Sequence, residues 1–191
     1  MKIDLPEITL PIGEKLLLLS CCAPCSGDVI QTLAANKIDT TVLFYNPNIH
    51  FEEEYKKRLE ENKNFALKYG FNFIDLDYDP DHWFEEIKGL ENEPEKGRRC
   101  FKCFAMRLRK TAEYARAHGF TIFADTLGIS RWKNLKQVHS AGEMIVKEFP
   151  ELTYWPYNWR KQGGSMRMDQ VARTQHFYRQ NYCGCIYSRR D

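Results

Sequence analysis

Short apolar runs alternate along the chain with longer segments in which apolar residues recur every three or four positions. Five runs of the first kind predict β-strands, at residues 15–20, 40–45, 71–76, 120–124 and 152–155. The other segments predict helices that begin near residues 29, 51, 79, 98, 136 and 163, the last one reaching about residue 181. This alternation predicts an α/β fold with an open, mainly parallel, Rossmann-like sheet that carries helices on both faces.

Three polar segments follow predicted strands and are therefore expected at one edge of the sheet. Residues 21–27 form a predicted loop after the first strand, residues 125–130 follow the fourth strand, and aromatic and basic residues follow Trp155. Open parallel sheets bind their ligands at the carboxyl ends of the strands. We therefore expect the functional site at this edge.

The length and the first residues of the chain limit its organisation. A chain of 191 residues can bury one substantial core, so we expect a single domain, 1–191, in which residues 152–191 form a basic, aromatic and cysteine-bearing C-terminal extension. No apolar run approaches the roughly 20 residues of a membrane span. The first residues do not resemble a secretion signal, so we expect a cytoplasmic protein without a membrane partner.

Seven cysteines fall into three tight groups that lie far apart in the sequence, namely Cys21, Cys22 and Cys25, then Cys100 and Cys103, then Cys183 and Cys185. A reducing compartment disfavours disulfides, whereas closely spaced thiolates are typical metal ligands. Structural zinc would need only Cys22, Cys25, Cys100 and Cys103, which leaves three cysteines unused. A 4Fe-4S cluster takes four thiolates, so seven ligands also suit a cluster and a second metal with an open position.

The charge of the chain is distributed unevenly. Residues 1–96 contain 10 Lys and Arg against 19 Asp and Glu, a net charge of −9, whereas residues 97–191 contain 18 against 7, a net charge of +11. Four of the seven cysteines lie in the basic half. A positive surface beside a metal centre favours a polyanionic substrate such as nucleic acid, although solvated helix faces are also often basic.

Four motifs occur in order between residues 15 and 188: Cys21-Cys22-Ala23-Pro24-Cys25-Ser26; Arg99-Cys100-x-x-Cys103 followed by Arg107-Leu108; Thr126-Leu127-x-x-Ser130-x-x-Lys133; and Tyr178-Arg179-Gln180-x-Tyr182-Cys183-Gly184-Cys185-x-Tyr187-Ser188. In this order they resemble the cobalamin-independent epoxyqueuosine reductase family, QueH. The resemblance implies reduction of epoxyqueuosine to queuosine at the wobble position of a tRNA anticodon. It also implies a 4Fe-4S cluster next to a separately coordinated iron.

The implied reaction constrains the residues that could take part in it. Removing an epoxide oxygen to leave an alkene requires two electrons, two protons and an electrophile for the oxygen, so a redox cofactor and an electron donor, as yet unidentified, are needed. Our working division gives Cys22, Cys25, Cys100 and Cys103 to the cluster, and Cys21, Cys183 and Cys185 to the lone iron. It assumes that adjacent Cys21 and Cys22 point to opposite sides of an extended loop. Candidate proton donors are Asp125, Lys133 and Tyr187, with Asp28 as a further candidate.

Substrate contacts are expected where aromatic rings and cations alternate near the predicted edge. Flipped bases are commonly stacked on rings, while Arg and Lys hold the phosphates. Trp159 and its basic neighbours are less typical of a core than Tyr154 and Trp155 are. Predicted substrate-binding residues are Ser130, Trp159, Arg160, Lys161 and Arg179, and further phosphate contacts are predicted at Arg167, Arg173, Arg189 and Arg190.

Two other interpretations of the sequence stay open. The strand, small-residue loop and helix around Ser26 and Gly27 resemble the anion cradle of HUP and PP-loop domains, so an ATP-using tRNA-modifying transferase is one alternative. The usual glycine-rich run is missing there, and a lone small-residue loop is a weak motif. A zinc-stabilised RNA-binding module without catalytic activity is the other alternative.

Overall fold

The structure is a computed structural model that describes residues 5–13 and 15–189. The described residues form a five-stranded parallel sheet with the order β3-β2-β1-β4-β5, made of β1 (Lys15–Ser20), β2 (Asp39–Phe44), β3 (Asn72–Asp75), β4 (Ile122–Asp125) and β5 (Thr153–Tyr154). The helices are α1 (Ala23–Ala35), α2 (Glu52–Lys68), α3 (Pro80–Glu86), α4 (Arg98–Ala117), α5 (Leu135–Val146) and α6 (Gly164–Thr174). Short 3-10 turns occur at Leu127–Ile129 and Ile186–Ser188.

The strand order reverses at β1, which pairs with β2 on one side and with β4 on the other. Because parallel crossovers are right-handed, this reversal sends the connecting helices to opposite faces of the sheet. Accordingly, α1 packs against α2 and α6, whereas α4 packs against α5 and α3. The predicted α/β fold with an open, parallel sheet is confirmed, and the crevice between the ends of β1 and β4 is the place where such sheets bind ligands.

The central strands owe their place to an apolar sequence that suits burial on both faces. Residues 16–19 are four consecutive leucines without exposed surface, and Ile122, Phe123 and Ala124 of β4 are equally buried. Strands covered on both sides are expected to be continuously apolar rather than alternating. None of the described helices combines the length and the apolar character that crossing a bilayer requires. The division into one domain with an extension from residue 152 stays a prediction.

Two helix boundaries differ from the predicted ones, and both differences concern cysteines. Helix α1 already begins at Ala23, with Pro24 in its first turn, so Cys25 is helical and does not lie in a loop. Helix α6 ends at Thr174 instead of near residue 181, because His176 has a φ of 55° and the Phe177 amide bonds back to the Ala172 carbonyl. The segment that carries Cys183 and Cys185 is therefore largely irregular.

Candidate metal centre and adjoining cleft

Three cysteines converge where β1 ends and α1 begins. Cys21 follows β1, Cys22 is the N-terminal cap of α1, and Cys25 lies in its first turn. All three are buried, and their sulfur atoms lie within 4.8 Å of one another, with 3.8 Å between the Sγ atoms of Cys21 and Cys22. The expectation that Cys21 and Cys22 point to opposite sides is wrong, because their sulfur atoms lie together with that of Cys25 at the start of α1. We refer to these three residues as the cysteine triad.

One thiol of the triad is much more acidic than the other two. Hydrogen bonds from Cys22 and Cys25 hold the pKa of Cys21 well below its usual value against the effect of burial, and the charges of Lys133 and Arg107 act in the same direction. The same hydrogen bond to Cys21 raises the pKa of Cys22 to about 12. The pKa of Cys25 is also raised, by its hydrogen bonds to Cys21 and Cys22 and by burial. Cys21 is thus the thiolate that two neighbouring thiols stabilise.

Lys133 is a buried cation in contact with the triad. Its side chain is 5% exposed, and its Nζ lies 3.9 Å from the Cys21 sulfur. Burial opposes the charged form, but the thiolate charges, that of Cys183 first, outweigh it and hold the pKa of Lys133 above its usual value. The predicted candidate Lys133 therefore lies at the cysteine triad as an ammonium group.

The other four cysteines come from helix α4 and from the C-terminal segment. Burial raises the pKa of Cys103 to about 12, with Arg107 opposing the rise and the charges of Cys183 and Cys185 adding to it. Burial likewise raises the pKa of Cys100, and Cys183 and Cys185 contribute there too. Cys100 and Cys103 thus lie within electrostatic range of the C-terminal pair. We refer to these four residues as the cysteine tetrad.

Gly184 shapes the turn between the two C-terminal cysteines. Its φ is +135°, and a Cβ there would lie 3.1 Å from Ile49 and 3.2 Å from the Arg58 guanidinium. The chain is fixed on both sides of this turn, since His50 N–H donates to the Gly184 carbonyl and Arg58 donates to that of Cys183. Glycine at this position lets the Cys-Gly-Cys segment approach the body of the protein closely.

Buried arginines surround the cysteines. Arg99 is 2% exposed and donates to the carbonyls of residues 90, 91 and 93, while Arg107 is 1% exposed and donates to Tyr45 and Asn46. Among the described residues, neither arginine forms an ion pair with a carboxylate, and the same holds for Lys133. Buried charges need counter-charges, and thiolates are the anions at hand.

Sequence reasoning did not assign a role to these arginines, although their spacing gives a signal. Arg99, Cys103 and Arg107 follow one another at intervals of four along α4, so they share one face of that helix. The spacing is visible in the sequence, and it puts two cations beside Cys103, where Arg107 partly offsets the rise that burial causes in the pKa of that thiol.

Asp125 braces the loop that follows β4. One carboxylate oxygen accepts from the amides of Leu127 and Gly128 at 2.7 and 3.2 Å, and the other accepts from the Tyr154 hydroxyl at 2.6 Å. Burial raises the pKa of Asp125, and these hydrogen bonds, that of Tyr154 first, oppose the rise. Both oxygens are thus engaged in fixing the loop to β5, and a role as proton donor stays a prediction.

The segment after β5 differs from what its composition indicates. Trp159 is 4% exposed, its Nε1 donates to the Asp125 carbonyl, and its ring contacts those of Trp155 and Tyr157. The expectation that Trp159 lies outside the core is therefore wrong, since the chain folds back over the end of β4 and buries the ring. Stacking of a base on Trp159 would need that packing to open.

Arg160 and Lys161 lie on the same segment but face different surroundings. The Arg160 guanidinium donates to the carbonyls of Ser130 and Lys133, at 2.7 and 3.0 Å, so it holds the loop that carries the buried lysine. Ser130 is itself buried, and its hydroxyl accepts from the Trp132 amide. Lys161 is exposed, and its contact with a phosphate stays a prediction.

A cleft opens beside the cysteine triad. It has a volume of about 590 Å³ and is lined by Pro24, Cys25, Ser130, Arg131, Trp132, Met168, Asp169, Arg179, Gln180 and Asn181. Arg179 is half exposed there and forms an ion pair with Asp169. Two predicted residues, Ser130 and Arg179, thus line the same cleft as a triad cysteine.

Other predicted residues lie away from this cleft. Tyr187 is 39% exposed, and Cζ of Arg99 lies 4.8 Å from the centroid of the Tyr187 ring. The prediction that Arg167 contacts phosphate at the surface is wrong, since Arg167 is buried in an ion pair with Asp28 with an N–O distance of 2.8 Å. Both carboxylate oxygens of Asp28, the further candidate proton donor, accept hydrogen bonds from Arg167 in this pair. Arg190 lies outside the described residues, and Arg173 is exposed in an ion pair with Asp169.

Comparison with known proteins gives a consistent result along the whole chain. Residues 16–191 match the family described as epoxyqueuosine reductase QueH. A curated relative of that description from Acinetobacter baylyi is 52% identical over 191 residues, covering 100% of this chain and 86% of the relative. One from Haemophilus influenzae is 53% identical over 186 residues, covering 97% and 76%. One from Thermotoga maritima is 32% identical over 176 residues, covering 91% and 89%.

Proposed function

Because the chain belongs to the epoxyqueuosine reductase QueH family, we propose that it reduces epoxyqueuosine in tRNA to queuosine, with iron held by its seven cysteines. One observation carries the chemistry of the site. A triad of buried cysteine sulfurs lies next to a buried lysine, and buried arginines without a carboxylate partner in the described part of the chain surround the remaining cysteines. Thiolates that ligate metal would balance these cations.

The triad fits a single metal ion better than it fits a share of a four-iron cluster. Thiolates that bind one tetrahedral ion at about 2.3 Å have their sulfurs roughly 3.8 Å apart, and the Cys21 and Cys22 sulfurs are 3.8 Å apart. The cluster distributes its four thiolates over four irons, so its ligands lie further apart. We therefore assign the lone iron to the triad, leaving a fourth position for substrate.

The cysteine tetrad then holds the 4Fe-4S cluster. Its members come from the first turns of α4 and from the Cys-Gly-Cys segment, and the charges of Cys183 and Cys185 add to the rise that burial causes in the pKa of Cys100 and of Cys103. This assignment replaces the working division, which separated Cys21 from Cys22. Arg107 supports both centres, because its charge acts on Cys21 and on Cys103.

The reaction consumes two electrons and two protons, breaks both C–O bonds of the epoxide and releases the oxygen as water. When bound, the metal centres would pass on the electrons of an external donor and would offer a Lewis acid for the oxygen. Lys133 is the proposed proton donor, because its ammonium group is buried and lies 3.9 Å from the Cys21 sulfur. Asp125 is proposed to act through the loop that positions Lys133, and Tyr187 through its amide, which hydrogen-bonds the Cys185 sulfur.

The substrate nucleoside is proposed to enter through the cleft beside Cys25. A volume of about 590 Å³ is in the range of sites for ligands of nucleoside size. Trp132 offers an aromatic ring in this cleft, with the Arg131 guanidinium 4.7 Å from the ring centroid. Arg131 and Arg179 line the same cleft and are the proposed phosphate contacts. Because Trp159 is buried, the proposed base contact is Trp132.

Metal analysis tests the site independently of turnover. Protein purified anaerobically and reconstituted with iron and sulfide should hold about five irons and four sulfides per chain, since one cluster and one lone iron use all seven cysteines. The measurement is iron and sulfide determination together with elemental analysis. One zinc per chain without sulfide would contradict the assignment and favour the RNA-binding module.

Removal of the Trp132 ring tests the proposed substrate contact. Stacking of one base on an aromatic side chain contributes about 1–3 kcal/mol, so Trp132→Ala should weaken tRNA binding roughly 5- to 150-fold, while Trp132→Phe should retain most of the affinity. The measurement is tRNA affinity at fixed salt, with iron content determined in parallel. Equal affinity for Trp132→Ala and for the unchanged protein would exclude this ring from the site.

A further inference from the structure

Gln180 lies between the cysteine triad and the cleft. Its Nε2 donates to the Cys22 sulfur at a distance of 2.9 Å, and the residue lines the cleft next to Arg179. Its Oε1 is buried and accepts no hydrogen bond within the described part of the chain. The sulfur is therefore the hydrogen-bond partner that the structure gives this amide. A glutamine placed in this way does not brace the backbone of its own segment.

The residues on either side of Gln180 are anchored to helix α2 and to the residues that precede this helix. Tyr178 donates through its hydroxyl to Glu54 at 2.9 Å and through its amide to Glu61 at 2.7 Å. Tyr182 donates through its hydroxyl to the His50 carbonyl. The residues two positions before and two positions after Gln180 are thus anchored by other contacts. The backbone at residue 180 is therefore held in place without the Gln180 side chain, whose amide contacts Cys22.

Donation of an N–H to a metal-bound thiolate has known consequences. It orients the ligand, and it withdraws electron density from the sulfur, which makes the metal easier to reduce. The three sulfurs of the triad lie close together, and two of them have different polar neighbours: the Lys133 ammonium lies 3.9 Å from the Cys21 sulfur, whereas the Gln180 amide donates to the Cys22 sulfur.

We infer that Gln180 is a positioning residue that holds the Cys22 thiolate for the metal and raises the potential at which the iron site is reduced. This inference rests on the proposed function, since it takes Cys22 to be an iron ligand. Gln180 acts through Cys22 and not on the substrate. Its loss should therefore lower kcat more than it raises KM.

Two substitutions of similar size separate the contributions of the hydrogen bond and of charge. Gln180→Met keeps the length of the side chain but removes the donor, and Gln180→Glu removes the donor at neutral pH and adds a negative charge beside the sulfur. We expect the midpoint potential to be highest in the unchanged protein, lower in Gln180→Met and lowest in Gln180→Glu. For Gln180→Glu the ratio of reduced to oxidised centre at a fixed potential should fall about tenfold, which corresponds to 59 mV for a one-electron couple.

The test is an anaerobic redox titration of the reconstituted protein, followed by electron paramagnetic resonance, together with kcat and KM on tRNA. Loss of an outer hydrogen bond to a ligand typically costs 10- to 100-fold, so kcat should fall by about that factor. Gln175→Glu is the matched control, because Gln175 accepts from Lys68 at 2.8 Å on a different surface and should leave the potential unchanged.

The outcomes distinguish this inference from the proposed function. If the unchanged protein holds no iron or does not reduce epoxyqueuosine, the proposed function fails. If it holds iron and turns over, but both Gln180 variants keep its midpoint potential, the inference about Gln180 is overturned alone. A KM that rises while kcat and the potential stay constant also overturns it, since Gln180 would then contact the substrate.

Discussion

Replacement of Cys21 by serine is expected to remove one iron per chain, to leave the four-iron cluster in place and to abolish turnover. Cys21 is the thiol of the triad whose pKa is lowered by hydrogen bonds from Cys22 and Cys25 and by the charge of Lys133, and its loss would remove one of the three ligands of the proposed lone iron. A Lewis-acid metal contributes several kcal/mol to stabilisation of the transition state, so activity should fall by about 10³-fold or more. The measurement is iron and sulfide content alongside turnover.

The matched variant is Cys103→Ser, which removes a ligand of the proposed cluster at an equally buried position. It should lose most of the sulfide and about four irons, in contrast to the single iron lost from Cys21→Ser. If Cys21→Ser also loses all of its sulfide, then Cys21 ligates the cluster. The assignment of the triad to a separate iron would then be wrong.

Replacement of Lys133 by glutamine is expected to reduce turnover by about 10²- to 10⁴-fold, the range associated with a positioned proton donor. Lys133 is 5% exposed and lies 3.9 Å from the Cys21 sulfur, where a neutral amide cannot deliver a proton to the departing oxygen. The rate is to be measured per iron-loaded site, because the same lysine also balances thiolate charge. Lys133→Arg should retain the charge and therefore the iron.

Lys136→Gln is the control for this substitution. Lys136 is exposed on helix α5, three residues after Lys133, so the same chemical change there should leave turnover unaltered. A Lys133→Gln protein with full iron content and an unchanged rate would show that the proton comes from another group. Asp125 would then be the next candidate, through Asp125→Asn.

The sheet could be predicted from the sequence because its determinants are local. The apolar run of β1 and the turn residues between elements place each strand within a few residues, and the 20 residues of α4 coincide with the predicted helix. The predicted start of α1 lies too late in the sequence, because Cys21-Cys22-Ala23-Pro24 has the composition of a loop. Pro24 is in fact well suited to the first turn of a helix, where no amide donor is needed.

The site could be predicted only as far as residue types and order define it. Spacing and the family resemblance identify the seven cysteines and Lys133, but the grouping of the cysteines depends on how β1 leads into α1, where the sulfurs of Cys21, Cys22 and Cys25 meet. The sequence predicts surface positions for Trp159 and Arg167 because charge and aromatic content do not reveal which way a side chain faces. Both are buried by contacts from distant segments, namely the Asp125 carbonyl and the Asp28 carboxylate.

The proposed reaction removes an epoxide oxygen from a tRNA base with electrons delivered through the iron centres. The most direct measurement is an anaerobic assay of the dithionite-reduced, iron-loaded protein on tRNA that carries epoxyqueuosine, followed by nucleoside mass spectrometry. We expect a product lighter than the substrate by one oxygen atom, formed without ATP and absent when the metal is removed. An unchanged nucleoside with fully loaded and reduced protein, or a product that depends on ATP, would contradict the account.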